Sequence, residues 1–267
     1  MKVILYSMRS RHLKAALAML ATTPFLTGCS SDQISGLGFE KGVSSVNDHS
    51  LSLWQGAWIT AGVVGVITFI LILWPVMFHR KKDDAFPKQT AHNNFLEVTF
   101  TIIPFIIVAV LFYFTAIKES AITKVSADSQ VTHQIEVVGI QWSWQFKYKD
   151  AGDFPAATIT GTPAQAPTLY LPQGEKVKFT INSNDVVHGF WIPAFMIQIQ
   201  NLPGVENHLE FSANKLGTYP GRCNILCGRN HSQMLFTVKV VTPAEYQSYL
   251  DSLKALNQLE LDKAANA

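Results

Sequence analysis

Apolar positions follow two regimes along this chain. Before Lys124 they gather in three blocks; beyond it they alternate with polar positions. The longest charge-free stretch runs from His49 to His79, and another runs from Val98 to Ile117. A bilayer core takes about 20 apolar residues in a helix, so both are long enough to cross one. Trp54, Trp58 and Trp74 lie toward the ends of the first, where indoles favour the water–lipid boundary. Pro104 interrupts the second, which a membrane helix tolerates when neighbouring groups satisfy the freed carbonyl. A buried core helix is the competing reading for each, and length and lack of charge weigh against it. The pattern predicts spans at 51–78 and 96–118, joined by a loop at 79–95.

After Lys124 the period changes to two. Glu136, Val138, Ile140, Trp142, Trp144, Phe146 and Tyr148 share one parity and are mostly large and apolar. Val177, Phe179 and Ile181 alternate in the same way, as do Phe236, Val238 and Val240. Breaks such as Pro172-Gln173-Gly174 and Asn182-Ser183-Asn184 separate the runs. Short alternating strands with such punctuation predict a β-sandwich or barrel over 125–242. Thr242-Pro243-Ala244-Glu245 then has the form of a capping box with Pro at the first helical position. A terminal helix to about Leu256 should follow, within a final segment 243–267.

The remaining apolar block reads as a targeting segment, 1–28. Arg9, Arg11 and Lys14 precede the charge-free run Ala15–Ser31, which polar residues and Pro interrupt. It ends in Leu26-Thr27-Gly28-Cys29, which resembles the cleavage box of bacterial lipoproteins. On that reading Cys29 carries a lipid and heads an exposed segment, 29–50; an incidental Cys in an ordinary signal is the alternative. Between the spans lies His79-Arg80-Lys81-Lys82-Asp83-Asp84, followed by Lys88. Positive charge in a short loop marks the cytoplasmic side, which puts both flanking segments outside. A lipoprotein-type signal demands the same topology. Glu97 stands at the cytoplasmic edge of the second span. An ionisable group there invites a functional role, although it can also simply reach water.

Composition narrows the field. The formal net charge of +2 and the absence of a long basic run give no footprint for nucleic acid. Apolar residues at 48% and charged ones at 15% are unusual for a purely soluble protein. No catalytic triad, phosphate loop or acid–base pair is visible.

The chemistry concentrates in Cys223-Asn224-Ile225-Leu226-Cys227-Gly228-Arg229-Asn230-His231-Ser232-Gln233-Met234. Apart from Cys29, the chain's cysteines are both here, next to a His and a Met. Soft thiolate and thioether donors with imidazole favour copper among biological metals. His188, upstream, is the natural second imidazole. Two thiolates can bridge two copper ions, each then needing one imidazole and a weaker outer ligand, such as Met234 or a backbone carbonyl. Three other readings stay open. A disulfide leaves His231 and Met234 without a purpose, zinc does not normally take Met, and a blue-copper site needs only one Cys.

This loop resembles the dinuclear copper A loop of cytochrome c oxidase subunit II, Cys-x-Glu-x-Cys-Gly-x-x-His-x-x-Met. Gly139-Ile140-Gln141-Trp142-Ser143-Trp144 resembles the family's aromatic stretch, and Leu96-Glu97-Val98-Thr99-Phe100-Thr101-Ile102-Ile103-Pro104 resembles its second-helix signature. The likeness covers about residues 51 to 242, and the lipoprotein-like start is most similar to the actinobacterial branch. It implies a two-helix transmembrane hairpin, an all-β cupredoxin-type Greek-key domain and a C-terminal helix. It also implies two copper ions held by His188, Cys223, Cys227, His231 and Met234 and by the carbonyl of Ile225. Trp142 would be where electrons come in from a cytochrome c; a buried strand Trp is the plainer reading. Glu97 would be the carboxylate at the mouth of a proton path into subunit I, and subunit III is a further expected partner beside membrane lipid. The sequence departs from the family at Ile225, where Glu is usual, at Gln200, where Asp is usual, and at Val205, where Arg is common. These losses of charge put the magnesium site at the subunit I boundary in doubt. Alternatives are a quinol-oxidase subunit II, which would lack Cys223 and Cys227, and a copper-delivery lipoprotein, which would need neither Trp142 nor two spans.

Overall fold

The computed structural model describes residues 36–80, 83, 85, 86, 89–151 and 157–265. Cys29 and the signal segment lie outside the described residues, as do Lys81, Lys82, Asp84 and Lys88 of the loop. The chain divides into two units, Met1–Lys41 and Gly42–Ala267. In the first, the described residues make a turn in which the Phe39 amide donates to the Gly36 carbonyl. The rest of the description concerns the second.

Helices α1 (Asn47–Phe78) and α2 (Asn94–Ile122) cover the expected segments 51–78 and 96–118, and each begins before its segment. The extensions have local causes. Ser44 and Asn47 exchange backbone-to-side-chain hydrogen bonds at the start of α1, and the Asn93 carboxamide caps α2 by accepting from the Leu96 amide. Both satisfy amides that a helix start leaves without partners. Almost every large apolar side chain of the two helices is exposed, Phe69, Val98 and Phe112 among them. By length and composition both can cross a membrane, and these faces fit hydrocarbon rather than water.

The remainder is a sandwich of two five-stranded sheets with a helix against one end. The strands are β1 (His133–Ile140), β2 (Ser143–Tyr148), β3 (Ala157–Thr160), β4 (Thr168–Pro172), β5 (Lys176–Ser183), β6 (His188–Ile192), β7 (Ile197–Asn201), β8 (Asn207–Ser212), β9 (Gly217–Cys223) and β10 (Leu235–Val241). One sheet runs β3-β2-β1-β5-β8 and the other β4-β10-β9-β6-β7. β1 pairs with β5 and β4 with β10 in parallel, so the chain crosses between sheets as a Greek key does and a simple meander does not. Helix α3 (Pro243–Ala265) follows. It runs past the expected end near Leu256, because Leu-Glu-Leu-Asp-Lys-Ala-Ala contains no helix breaker.

One reading of the alternation needs correction. The single-parity run from Glu136 to Tyr148 is two strands joined by a tight reversal at Gln141 and Trp142. Pairing Val137 with Phe146 and Ile135 with Tyr148 puts odd positions of β1 on the face of even positions of β2. Ile135, Val137, Trp144, Phe146 and Tyr148 are therefore the core residues, while Glu136 faces outward and pairs with Lys147 at 3.0 Å. Val138, also buried, is covered on the other face.

Aromatic rings fill the space between the sheets. Phe190 and Phe236 stack at 4.9 Å, and Trp144 meets them edge-on at 5.7 and 5.4 Å. Such rings contribute most of a core's apolar burial, roughly 1.5–3 kcal/mol each. The capping box that opens α3 is present: the Glu245 carboxylate accepts from the Thr242 amide and hydroxyl, and the Glu245 amide donates back to Thr242 Oγ1. Tyr246, Leu250 and Leu253 then bury one stripe of the helix. His133 ties this end together. Its Nδ1 meets Asp150 at 2.6 Å, its Nε2 meets Glu175 at 2.5 Å, and its ring stands edge-on to Tyr246. Burial disfavours a charged His133, but the two carboxylates outweigh it and raise its pKa above the ordinary histidine value.

The hairpin joins the sandwich through the segment before α1. The Ser45 amide donates to the Ser212 carbonyl, the Ser212 amide to Ser45 Oγ, and the Asn214 amide to the Val43 carbonyl. This covers part of the open edge of β8, where unpaired amides would otherwise face solvent.

Candidate metal centre

Four of the expected donors come from one connection. Cys223 is the last residue of β9 and Met234 immediately precedes β10, so the loop between neighbouring strands carries Cys223, Cys227, His231 and Met234. His188 opens β6, which pairs with β9 through Phe190 and Cys223. Adjacent strands thus bring His188 to the loop's base. A ring nitrogen of His188 and the sulfurs of Cys223 and Cys227 lie within 4.8 Å of one another. The two sulfurs are 3.8 Å apart and both cysteines are free. His231 Nδ1 is 3.6 Å and Met234 Sδ 3.8 Å from the Cys227 sulfur. The Ile225 carbonyl is 3.2 Å from the Cys223 sulfur. All six expected groups therefore meet in one place. His188 and Met234 are fully buried, and Cys223 and Cys227 nearly so.

The His188 ring is oriented from outside the cluster. Nε2 lies 2.8 Å from the Asp185 carboxylate, while Nδ1 is buried with no hydrogen-bond partner. An unsatisfied buried ring nitrogen is costly unless something occupies it, and here it is the nitrogen left for a metal bond. A ligand histidine held through its other nitrogen is the usual arrangement at metal sites. Asp185 also accepts from the amides of Gln141 and Val186. Burial opposes its charge, yet His188 and these amides hold its carboxyl below the usual range. Asp185 was not identified from sequence; an acidic residue three before a candidate ligand was the available signal.

Space around His188 is made by glycines. A Cβ on Gly139 would stand 2.7 Å from the His188 ring, and one on Gly189 would meet the Asn224 carboxamide at 1.9 Å. Only glycine permits this close approach of strand to ligand.

Burial alone would raise the Cys223 thiol. The neighbouring His188 ring and the Gly189 amide, which donates to the sulfur at 3.5 Å, outweigh it and lower the thiol to about 6. Cys227 moves the opposite way, to about 12, driven by burial and by the charge on Cys223. Two sulfurs this close hold a single negative charge easily; a second needs a cation between them.

Trp142 is half-buried beside the loop. Its indole Nε1 donates to the Cys227 carbonyl at 3.1 Å, and Gln141 Nε2 donates to the same oxygen at 2.9 Å. The Gln141–Trp142 peptide is cis. Sequence reasoning gave Trp142 a role but missed Gln141, which clamps the same carbonyl. Glu97 is elsewhere. It is exposed in the first turn of α2 and its carboxylate lies 3.5 Å from the Asn93 amide, roughly 38 Å along the helix from the end near the sandwich.

Beside Ile225 lies a cavity of about 410 Å³ lined by Gln198, Ile199, Gln200, Asn224 and Ile225. Its lining contains amides and no carboxylate, and Asn224 Nδ2 donates to Gln198 Oε1.

The family model for cytochrome c oxidase subunit II, periplasmic domain, matches residues 133–241, and that for its transmembrane domain matches residues 33–116. A probable cytochrome c oxidase subunit 2 of Streptomyces avermitilis is 38% identical, covering 94% of this chain and 89% of the relative. The cytochrome c oxidase subunit 2 of Mycobacterium bovis is 31% identical over 94% and 86%. Among solved structures, the periplasmic domain of subunit II of cytochrome oxidase of Bradyrhizobium japonicum is 28% identical. It covers 47% of this chain and 95% of that one, with a TM-score of 0.43.

Proposed function

We propose that this chain, which belongs to the cytochrome c oxidase subunit II family, accepts single electrons from a cytochrome c at a dinuclear copper A centre and passes them toward the haem of subunit I. Oxygen reduction to water, with coupled proton pumping, would then occur in that partner. The observation that carries this reading is the meeting of two thiols, two imidazoles, a thioether and a carbonyl around the unsatisfied Nδ1 of His188. That donor set is soft and matches copper better than zinc. His188 Nδ1, Cys223 Sγ, the Ile225 carbonyl, Cys227 Sγ, His231 and Met234 Sδ would hold two ions.

Bound copper would supply one-electron redox chemistry. The residues do the rest. Cys223 and Cys227 present two sulfurs to a shared position, and Asp185 fixes the His188 ring so that Nδ1 stays turned inward. Burial of His188 and Met234 excludes water, and strands on both sides of the loop limit its movement. Trp142 contacts the Cys227 carbonyl directly, which gives an incoming electron a bonded route of one hydrogen bond to a ligand residue.

The domain would face the extracytoplasmic side, with both termini outside a cell membrane that the hairpin crosses, and Cys29 would carry a lipid. Glu97, at the far end of α2, would serve the proton path of subunit I. The carboxylate-free lining beside Ile225 supports a complex without the magnesium site, since hard magnesium binds through carboxylates and water.

Copper analysis and electron paramagnetic resonance of the purified chain test the central claim. Two copper ions per chain sharing one delocalised unpaired electron is the expected result. A single copper, zinc at stoichiometry or a Cys223–Cys227 disulfide in the loaded protein would overturn it. Trp142→Ala should leave the copper content intact and slow donor oxidation. Magnesium bound stoichiometrically at the subunit boundary would remove the reading of Ile225.

A further inference from the structure

The hairpin holds a cavity that the metal centre does not use. Between α1 and α2, in the half nearer the sandwich, lies a groove of about 720 Å³. Gly56, Ala57 and Thr60 keep the α1 side shallow, and Leu111 and Phe114 form the α2 wall. The hydroxyls in it are already used: Thr60 Oγ1 donates to the Gly56 carbonyl and Thr115 Oγ1 to the Leu111 carbonyl. What remains is an apolar slot with no polar atom in need of a partner.

The end toward the sandwich is different. Lys118 closes the groove there. One turn further out a second cavity, about 310 Å³, opens between the helix ends and the sandwich and includes His49, Lys124 and Lys176. Helical spacing puts the two along the same helix faces: His49, Ser52, Gly56 and Thr60 follow one face of α1, and Leu111, Phe114, Lys118 and Ala121 one face of α2. Lys176 is neutralised by Glu210 at 3.0 Å, and Glu210 also accepts from the Ser126 amide and hydroxyl. Lys118 and Lys124 make no ion pair among the described residues. The polar end thus offers two free cations, and the carboxylate in it is already engaged.

We propose that this groove and the basic cavity above it form a binding site for one anionic phospholipid of the outer leaflet. The order of polarity along the helices is that of a lipid: chain against Gly56, Ala57, Leu111 and Phe114, phosphate between Lys118 and Lys124. A zwitterionic headgroup fits less well, because no free carboxylate lines either cavity. The site is independent of copper and of electron transfer.

Native mass spectrometry of the purified full chain, titrated with phosphatidylglycerol or with phosphatidylcholine of equal chain length, reads the site directly. Phosphatidylglycerol should bind about tenfold tighter or more, the contribution expected of two lysines at a lipid headgroup. Lys118→Gln combined with Lys124→Gln should erase that preference while leaving residual binding of both lipids. Gly56→Leu should block both lipids by filling the groove, and a Cβ at that position meets no other part of the chain within 4 Å. Circular dichroism of each variant, unchanged from the parent, shows that the loss is not unfolding. Equal binding of the two lipids, or undiminished binding by Gly56→Leu, overturns the proposal. So does a photo-crosslinker at Thr60 that, in the assembled oxidase, attaches to a partner subunit rather than to lipid.

Discussion

The sandwich and the hairpin use apolar residues for opposite ends. In the sandwich they consume one another: Trp144, Phe190 and Phe236 are fully or almost fully buried by strands of the same chain. In the hairpin they stay outward, and none of the described residues of α2 is buried. One region carries its own solvent-excluding interior, and the other requires a surrounding medium to supply it. Chemistry that needs fixed donor positions sits on the self-sufficient region. The hairpin, by contrast, presents an apolar exterior that suits a membrane.

Four tests, using five substitutions, break or sharpen this contrast. The largest effect belongs to Cys227→Ser, which should abolish the shared-electron spectrum of the copper-loaded chain while leaving its helical circular dichroism untouched. Next comes a pair of glycines. A Cβ on Gly221 would stand 2.1 Å from the buried Phe236 ring, so Gly221→Ala should cost about 3 kcal/mol in denaturant unfolding followed by tryptophan fluorescence. Gly65 in α1 has nothing within 4 Å of that position, and Gly65→Ala should leave the same transition unmoved. A cost at Gly65 equal to that at Gly221 would erase the distinction between the regions.

His133 comes third, with a sign fixed by linkage. Its pKa is raised in the folded chain, so its stabilisation is fully present below the unfolded value near 6.5 and fades as pH rises through the folded value. His133→Gln should therefore cost about 2 kcal/mol at pH 6 and progressively less at alkaline pH, measured by thermal unfolding across the range. A pH-independent cost would mean that the ring acts by packing against Tyr246 and not by charge. The mildest of the destabilising changes is Thr242→Ala, about 1 kcal/mol from loss of the α3 cap, seen as faster amide exchange in its first turn.

Much of this was legible in the chain before its structure. Charge-free length revealed both spans, and the density of soft donors between Cys223 and Met234 revealed the loop, because each signal is local. The capping box at Thr242 is local too and was read correctly. The failures involve reversals and distance. Alternation cannot reveal a turn that preserves parity in sequence while inverting it in space, so Glu136 was grouped with Phe146. Gln141 acts on the Cys227 carbonyl, a partner 86 residues away that only the fold brings near, and Asp185, though three residues from His188, shows its role only once the ring is placed. Gly139 and Gly189 matter only because a ring and a carboxamide occupy the space beside them. The starts of α1 and α2 lie ahead of the apolar runs because polar caps at Ser44 and Asn93, not hydropathy, set where a helix begins.

The division of labour between β6 and the β9–β10 connection has a consequence for substitutions. Four side-chain donors lie between the last residue of one strand and the first of the next, and the ladder joining Arg222 to Leu235 closes beneath them. Substitutions inside that connection leave the pairing of the strands alone. The fifth donor, His188, is inherited with the frame, through the alignment of Phe190 with Cys223. On the proposed function, donors and frame thus come from separate parts of the chain: the connection supplies four side chains, and β6 supplies His188 at a register set by strand pairing.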